Sequence, residues 1–191
     1  MAYSESDTRV KLIDPMLSES GWSEGKIVRE YYFTDGRKLI GGKRGKRHFV
    51  DYLLVHNNTN LTIVEAKAED KDPLDGLQQV IEYASKLHIE WVYTTNGHKI
   101  YEHSMREGKG EYVNSFASPE KLFGRIYGDI DAKTKDAISQ GYYLGAKKPR
   151  YYQQIAISKA VKAVASGKDR ALLTLATGTG KTYIAFQIIY R

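Results

Sequence analysis

The chain has 191 residues, of which 41% are hydrophobic and 27% charged, an ordinary composition for a globular protein of one domain and part of a second. It contains no cysteine, which excludes disulfides and thiolate metal sites and leaves carboxylates and five histidines as metal ligands. No apolar run of the sequence approaches membrane-spanning length, and its start lacks the pattern of a secretory signal, so we expect a cytoplasmic protein without a membrane segment. The net charge of +6 favours an anionic partner.

The first predicted element is a helix that starts at Ser4, because Ser4-Glu5-Ser6-Asp7 fits a capping box. Apolar residues follow at helical spacing: Val10, Leu12, Ile13, Met16 and Leu17. Pro15 predicts a kink near Lys11, and Gly21 predicts the end of the helix. Within it, Glu5 and Arg9 are spaced to form an ion pair.

A strand is predicted over 27–33, and a glycine-rich basic stretch follows over 36–47. Such a stretch cannot bury itself and is either a solvated loop or a contact to the phosphate backbone of DNA. Because it leads directly into the next predicted strand and its acidic residue, we favour DNA contact, by Lys43, Arg44, Lys46 and Arg47.

Two further strands are predicted over 49–55 and 61–67, joined by the turn formers Asn57-Asn58-Thr59-Asn60. Side chains alternate along a strand, so Leu61, Ile63, Glu65 and Lys67 share one face, and Thr62, Val64 and Ala66 share the other. Asp51 comes alongside Glu65 if the two strands pair.

Two convergent carboxylates can hold a hard divalent cation, most plausibly Mg²⁺. The metal would lower the pKa of a bound water and neutralise charge on a phosphoryl group, and Lys67 could orient that water. The alternative is a hairpin that ends in an ordinary surface Glu/Lys pair.

Asp72-Pro73 predicts the start of the next helix, which extends to about His88. Its apolar stripe is expected to consist of Leu74, Leu77, Ile81 and Ala84. Gln79 and Tyr83 are one turn apart and lie roughly opposite that stripe, a position that is usually solvent-exposed.

Strands are then predicted over 90–94 and 99–103 around an Asn96-Gly97 turn, with a short helix over 118–127. Residues 128–149 are rich in Gly, Asp and Lys, so we interpret them as a connector. The order of elements predicts an α/β fold with a mixed sheet flanked by helices.

The last part of the sequence predicts a helix over 150–166, a buried strand over 171–175 and a second helix to Arg191. Between strand and helix lies a phosphate-binding loop, whose backbone N–H groups would cradle phosphates. Lys181 would contact the β/γ-phosphates and Thr182 would bind Mg²⁺ of ATP. The predicted ATP site comprises Thr177, Gly178, Thr179, Gly180, Lys181 and Thr182.

Asp51 with Glu65-Ala66-Lys67 resembles the PD-(D/E)XK nuclease signature, with Val50 in place of its proline. Gln79-x-x-x-Tyr83 is similar to the additional motif of RecB-like nucleases, which implies that both side chains face the nuclease site and DNA. The same resemblance implies a restriction-endonuclease-like fold and offers Glu5 as a further metal ligand.

Ala176-Thr177-Gly178-Thr179-Gly180-Lys181-Thr182 resembles motif I of superfamily 2 helicases, and Arg150-x-Tyr152-Gln153 resembles their Q motif, in which Gln153 would bind adenine. Residues 150–191 would then be the truncated start of a RecA-like ATPase domain, its first βα unit. The acidic second motif that ATP hydrolysis requires does not occur in the 191 residues, so we expect no ATP turnover from them alone.

A nuclease followed by a helicase resembles the N-terminal part of the R subunit of a type I restriction enzyme. The resemblance implies a nuclease domain over 1–127, a connector over 128–149 and the motor from 150. It also implies cleavage of double-stranded DNA after ATP-driven translocation, and methyltransferase (M) and specificity (S) subunits as partners. Two alternatives stay open, a nuclease-helicase of repair or another defence system, and a catalytically silent DNA-binding module.

Overall fold

The computed structural model describes residues 2–34, 47–128, 130–143, 145 and 148–191. These residues divide into two compact units. Unit 1 comprises Met1–His56 and Asn60–Ile126, and unit 2 comprises Asn57–Thr59 and Tyr127–Arg191. Within the described part of the chain, no helix is both long and apolar enough to cross a membrane.

Unit 1 is built around a six-stranded mixed sheet whose strands follow chain order, β1-β2-β3-β4-β5-β6. Strands β3 and β4 pair in parallel, whereas β1–β2, β4–β5 and β5–β6 are antiparallel. The strands are β1 (Ile27–Thr34), β2 (Arg47–His56), β3 (Thr59–Ala66), β4 (Trp91–Thr95), β5 (Ile100–Ser104) and β6 (Lys109–Val113). The predicted mixed α/β sheet is therefore confirmed, with one strand more than expected.

The additional strand, β6, was missed because little in its sequence favours a strand. Lys109, Gly110 and Glu111 have low β propensity, and four of the five residues are exposed. Pairing with β5 rather than local preference therefore makes this segment a strand.

The first helical segment is three helices in succession: α1 (Glu5–Thr8), a π-helical turn (Arg9–Ile13) and α2 (Asp14–Glu19). Ser4 caps α1 as predicted and accepts a hydrogen bond from the N–H of Asp7 at 3.2 Å. Pro15 has no N–H to donate and its ring would clash with the carbonyl four residues back, which is at Lys11. The wide π turn accommodates that conflict, so the distortion predicted near Lys11 is confirmed.

The turn between β2 and β3 is tighter than the four residues predicted. Asn57 and Asn58 have φ of 49° and 55°, the left-handed conformations of a type I′ hairpin turn. Asparagine tolerates this conformation better than most residues, and β3 begins at Thr59, directly after the pair.

Between the parallel strands β3 and β4 the chain forms a 3₁₀ turn (Pro73–Gly76) and α3 (Leu77–Leu87). Asp72 caps the turn as predicted, accepting from the N–H of Leu74 at 2.9 Å. The predicted apolar stripe is wrong in part, because Leu74 is 41% exposed and the buried residues are Pro73, Gly76, Val80, Ala84 and Leu87. The 3₁₀ turn changes the helical phase, so a stripe drawn from Leu74 at 100° per residue misses the buried face.

Unit 2 contains α5 (Ala132–Ser139), α6 (Tyr151–Ala165) and α7 (Lys181–Tyr190), while α4 (Pro119–Tyr127) closes unit 1. Helix α5 lies inside the stretch expected to be a connector, and its Thr134 hydroxyl donates to the carbonyl of Ala165 at 2.8 Å. Gln187 of α7 is fully buried and joins Tyr143 through two 3.0 Å hydrogen bonds.

The buried strand predicted over 171–175 is wrong. The segment has no strand conformation, and Leu172 is 91% exposed. The six strands that the structure describes form one sheet, to which this segment does not belong. A strand is stable only beside another strand, so apolar sequence alone does not form one here.

Candidate functional site

The candidate site of unit 1 begins with two carboxylates on neighbouring strands. Asp51 lies on β2, and its Oδ2 accepts a hydrogen bond from the N–H of Ala66 on β3 at 2.8 Å. Glu65 precedes that residue and is only 4% exposed. Burial, and then the negative charge of Asp51, raise the pKa of Glu65 to about 7. The two strands thus bring together the two acidic residues that the sequence singled out.

Lys67 completes this group directly after β3. Its Nζ lies 2.9 Å from Oε1 of Glu65, and its backbone N–H donates to the carbonyl of Thr95 at 2.8 Å. Burial lowers the pKa of Lys67, but the hydrogen bond to Glu65 and the surrounding carboxylates outweigh it and leave that pKa above its ordinary value. Lys67 is therefore an ammonium at neutral pH.

A glycine on the helical side leaves room for this pair. A Cβ atom at Gly76 would lie 2.7 Å from Cε of Lys67, closer than real Cβ contacts, and 3.0 Å from Cγ of Glu65, a tight contact. Gly76 has an ordinary helical φ of −91°, so its role here is space rather than backbone freedom. Sequence reasoning missed Gly76, since the phase of the helix was assigned wrongly.

Of the two motif residues on α3, Tyr83 lies near this group. The Tyr83 ring packs edge-on against Phe33 and His48, with centroids 5.4 Å away in each case. Burial, followed by the charge of Glu65, raises the pKa of Tyr83. Tyr83 is half-buried, whereas Gln79, one helical turn before it, is exposed.

Glu5 also lies near the pair, since its charge raises the pKa of both Glu65 and Lys67. Across the described residues, however, no three His, Asp or Glu side chains are close enough to hold a metal ion together. Glu5 therefore does not form a three-carboxylate cluster with Asp51 and Glu65 in this arrangement.

Arg9 is the site residue that sequence reasoning paired wrongly. Its NH1 lies 3.6 Å from Oδ1 of Asp51 and 3.4 Å from Oε1 of Glu30, so it pairs with these carboxylates although Glu5 was the expected partner. Its guanidinium also lies over the Tyr52 ring, 5.2 Å from the centroid. Only the π turn and the pairing of β1 with β2 bring these groups together.

The donor set suits a hard divalent cation. Mg²⁺ is commonly held by one or two carboxylates, with water and substrate phosphate as its other ligands. Burial and the negative charge of Asp51 raise the pKa of Glu65 even with Lys67 beside it, and a bound cation would favour its ionised form. Asp51 and Glu65 are the residues that would hold the ion.

The loop of unit 2 that is predicted to bind phosphate has the backbone that its glycines predict. Gly178 and Gly180 have φ of 78° and 82°, and α7 begins at Lys181. Lys181 and Thr182 are exposed, as are Thr177 and Gly178, and Thr179 and Gly180 are half-buried. The loop thus presents its cation and the start of a helix outward, where an anion can approach.

Gln153 of α6 holds this loop from one side. Its Nε2 donates to the carbonyl of Thr179 at 2.9 Å, and its Oε1 accepts from the N–H of Arg150 at 2.9 Å. A Cβ at Gly180 would lie 2.7 Å from the same Nε2. The predicted adenine-binding residue therefore caps its own helix and supports the loop.

Three of the predicted DNA-binding residues, Lys43, Arg44 and Lys46, lie outside the described residues. The fourth, Arg47, opens β2 and is exposed.

Two parts of the chain match known protein families. Residues 4–117 match the family described as type I restriction enzyme R protein N terminus, and residues 146–191 match the family described as type III restriction enzyme, res subunit. The chain belongs to the first of these families and is the N-terminal part of a type I restriction enzyme R subunit.

The chain is also similar to individual restriction-enzyme subunits. The chain is 36% identical to the EcoAI endonuclease subunit of Escherichia coli and 24% identical to the EcoKI endonuclease subunit of strain K12, in each case over 98% of its own length. It spans 25% and 21% of those two proteins. A solved fragment of a putative HsdR subunit from Vibrio vulnificus YJ016 is 42% identical and superposes with a TM-score of 0.86, covering 98% of this chain and 38% of that one.

Proposed function

We propose that unit 1 is a Mg²⁺-dependent endonuclease domain of the PD-(D/E)XK class that cuts double-stranded DNA for a type I restriction enzyme. The observation that carries the proposal is Glu65, a buried carboxylate beside Asp51 and 2.9 Å from the Lys67 ammonium. A purely structural Glu/Lys pair gains nothing from a second carboxylate that raises the pKa of the first. Membership of the restriction family favours this role over DNA repair.

Each residue of the group has a distinct part in this reaction. The Ala66 N–H fixes one oxygen of Asp51 and leaves the other to bind the metal with Glu65. When bound, the metal supplies the charge that polarises the scissile phosphate and activates the attacking water. Lys67 orients that water or stabilises the negative charge that develops at phosphorus. Gln79 and Tyr83, which are neutral, position the DNA.

The second part of the proposal concerns ATP. We place the endonuclease domain in 1–127 and the start of a superfamily 2 helicase-like ATPase domain, of RecA-like fold, in 150–191. The loop at 177–182 would bind the phosphates and Mg²⁺ of ATP, and Gln153 would link adenine to that loop. In the whole R subunit this motor would translocate DNA before cleavage, in a complex with the M and S subunits.

The test uses the full-length R subunit assembled with its M and S partners, ATP and plasmid DNA. Glu65→Ala should reduce cleavage by about 10³-fold, and Lys67→Ala by about 10²-fold, because each removes stabilisation of the transition state. Glu111→Ala, which removes an exposed glutamate of β6, is the matched control and should cut normally. ATP-driven translocation, measured by displacement of a third strand, should survive all three changes.

Retained cleavage by a correctly folded Glu65→Ala enzyme would overturn the assignment of the site. The catalytically silent DNA-binding module is tested in the same way. It predicts that neither Glu65→Ala nor Lys67→Ala changes cleavage, because the cutting would then reside elsewhere in the complex.

A further inference from the structure

Arg9 owes its position to the irregular first helical segment. It is the first residue of the π-helical turn, whose wider backbone is imposed by Pro15. From there its side chain, 17% exposed, extends to the carboxylates of β1 and β2. A cation is thereby placed against the predicted metal ligand Asp51 by a segment distant in sequence.

The two oxygens of Asp51 have different partners. Oδ2 accepts the Ala66 N–H at 2.8 Å, whereas Oδ1 faces NH1 of Arg9 at 3.6 Å. Oδ1 is therefore the oxygen that a metal would use. At 3.6 Å the contact with Arg9 is an ion pair but is too long for a hydrogen bond. Arg9 and a divalent cation thus compete for the same oxygen.

Glu30 is the second carboxylate beside Arg9, with its Oε1 3.4 Å from NH1. The backbone of Glu30 has an unusual conformation. Glu30 has a φ of +50° in the middle of β1, between residues that pair regularly, Arg29 with Tyr52 and Tyr31 with Val50. A left-handed non-glycine residue inside a strand is strained and persists only where its surroundings hold it. Glu30 lies opposite Asp51 in the register of β1 and β2, and its carboxylate is the other partner of Arg9.

Arg29 is a second arginine beside Tyr52, and its short ion pairs are those expected of a structural role. Arg29 also lies over the Tyr52 ring, 6.0 Å from its centroid. It binds Glu24 at 2.7 and 2.8 Å and Asp14 at 3.1 Å, all of them short contacts. Arg9 instead lies over the same ring and divides its charge between two carboxylates at longer distances, 3.4 Å to Glu30 and 3.6 Å to Asp51.

We propose that Arg9 is a positioning residue that holds Asp51 until a divalent metal binds and then transfers to Glu30. The proposal rests on the proposed function, since it takes Asp51 as a metal ligand. Glu30 is in this view the acceptor that lets the guanidinium leave Asp51 without losing a carboxylate partner. The expected partner of Arg9 was Glu5, four residues away, so the exchange between Asp51 and Glu30 follows only from the folded structure.

The test is calorimetric titration of the full-length R subunit with Mg²⁺ in the absence of nucleotide. The binding considered is the component that Asp51→Asn abolishes, which separates it from any metal site in the motor. Arg9→Gln removes the competing cation and should tighten this binding about fivefold, the size expected of one partly exposed ion pair. Lys11→Gln removes the same charge from the same π-helical turn, where Lys11 pairs with Asp7 instead of Asp51, and should leave the affinity unchanged.

Glu30→Gln should change the Mg²⁺ affinity in the direction opposite to Arg9→Gln. With Glu30 neutral, Arg9 keeps only Asp51, so Mg²⁺ binding should weaken about threefold. In an Arg9→Gln background the same Glu30→Gln change should have no effect, a non-additivity that only coupled residues show. The Glu30 side chain is 71% exposed, so its substitution leaves the core of unit 1 unchanged.

Three outcomes are distinguishable. Opposite changes in the two single variants, with no Glu30 effect after Arg9→Gln, support the exchange. Unchanged or weakened Mg²⁺ binding in Arg9→Gln overturns it, while the proposed function stands if Asp51→Asn still abolishes binding. Absence of any Asp51-dependent Mg²⁺ binding in the unmodified subunit overturns the proposed function and this inference together.

Discussion

Unit 1 buries the central carboxylate of its candidate site, whereas unit 2 leaves the loop predicted to bind phosphate on the surface. Glu65 is 4% exposed and lies beside Asp51 of β2 and Lys67, which follows β3. In unit 2, Lys181 and Thr182 are exposed, and Leu172, before the loop, is 91% exposed.

In this chain the specificity of a sequence motif and the burial of the corresponding site are separate properties. The residues that resemble a nuclease signature form a short pattern, yet Glu65 is buried beside Asp51 and Lys67 and its pKa is raised. The loop predicted to bind phosphate has the more specific sequence, yet the segment before it is not a strand. Unit 1 has the neighbouring strands that its site requires, and unit 2 has none beside its loop among the described residues.

The largest expected effect is on the folding of unit 1. Ile63 is fully buried on β3, so Ile63→Ala should lower the free energy of unfolding by about 2–5 kcal/mol. Trp22 and Trp91 are the two tryptophans of the chain and both lie in unit 1, so tryptophan fluorescence during urea unfolding measures this change. A loss below about 1 kcal/mol would show that the sheet is less tightly packed than its burial indicates.

The next effect is a pH dependence caused by Glu65. Its folded-state pKa, about 7, lies above the ordinary 4.5, so the folded state binds the proton more tightly than the unfolded state. The stability that this proton contributes is fully present below about pH 4.5 and is lost as the pH rises through 7. Relative to Glu65→Gln, the unmodified chain in EDTA should lose about 2 kcal/mol of unfolding free energy between about pH 5 and 8.

Asp51→Asn provides the control for this pH dependence. It removes the neighbouring charge but leaves Glu65 buried, so the loss over the same pH range should shrink without vanishing. An identical pH profile for Glu65→Gln and the unmodified chain would mean that Glu65 titrates normally and that the site is open to water.

A smaller effect is expected from Gly76→Ala. The new methyl group would lie 2.7 Å from Cε of Lys67, which moves easily because it is near the end of a flexible side chain. Stability should therefore change little, whereas displacement of the ammonium should slow cleavage by the assembled enzyme about tenfold.

Gly124→Ala is the matched control for Gly76→Ala. Gly124 lies in α4, and no atom lies within 4 Å of the position that an alanine methyl group would take there. Alanine at this position should leave cleavage unchanged and stabilise the helix by about 1 kcal/mol. Equal cleavage by both variants would contradict the close packing of Gly76 on Lys67.

The smallest effect is predicted in unit 2. Leu172→Ala should change the unfolding free energy of the 191-residue chain by less than about 0.5 kcal/mol, because the side chain is 91% exposed. Circular dichroism at the helical minimum measures this, since α5, α6 and α7 are the regular elements described in unit 2. A loss of unfolding free energy as large as that of Ile63→Ala would show that Leu172 is packed as tightly as a buried residue of unit 1.

Several features follow from the sequence alone because their causes are local. Ser4 and Asp72 cap helical turns as predicted, and the Asn57-Asn58 pair forms the turn between β2 and β3. A cap or a turn involves residues within three or four positions of one another, so the amino-acid types suffice to predict it. Asp51, Glu65 and Lys67 could be selected because the predicted turn pairs two predicted strands, along which side chains alternate between faces.

Other features were decided only by the tertiary structure. Arg9 pairs with Asp51 and Glu30, β6 forms beside β5, and residues 171–175 remain outside any strand. The pKa of Glu65 likewise depends on burial and on a charge from another strand. Each of these depends on groups far apart in the chain that only the folded backbone brings within range, and pairing and desolvation act over distance in space, not along the sequence.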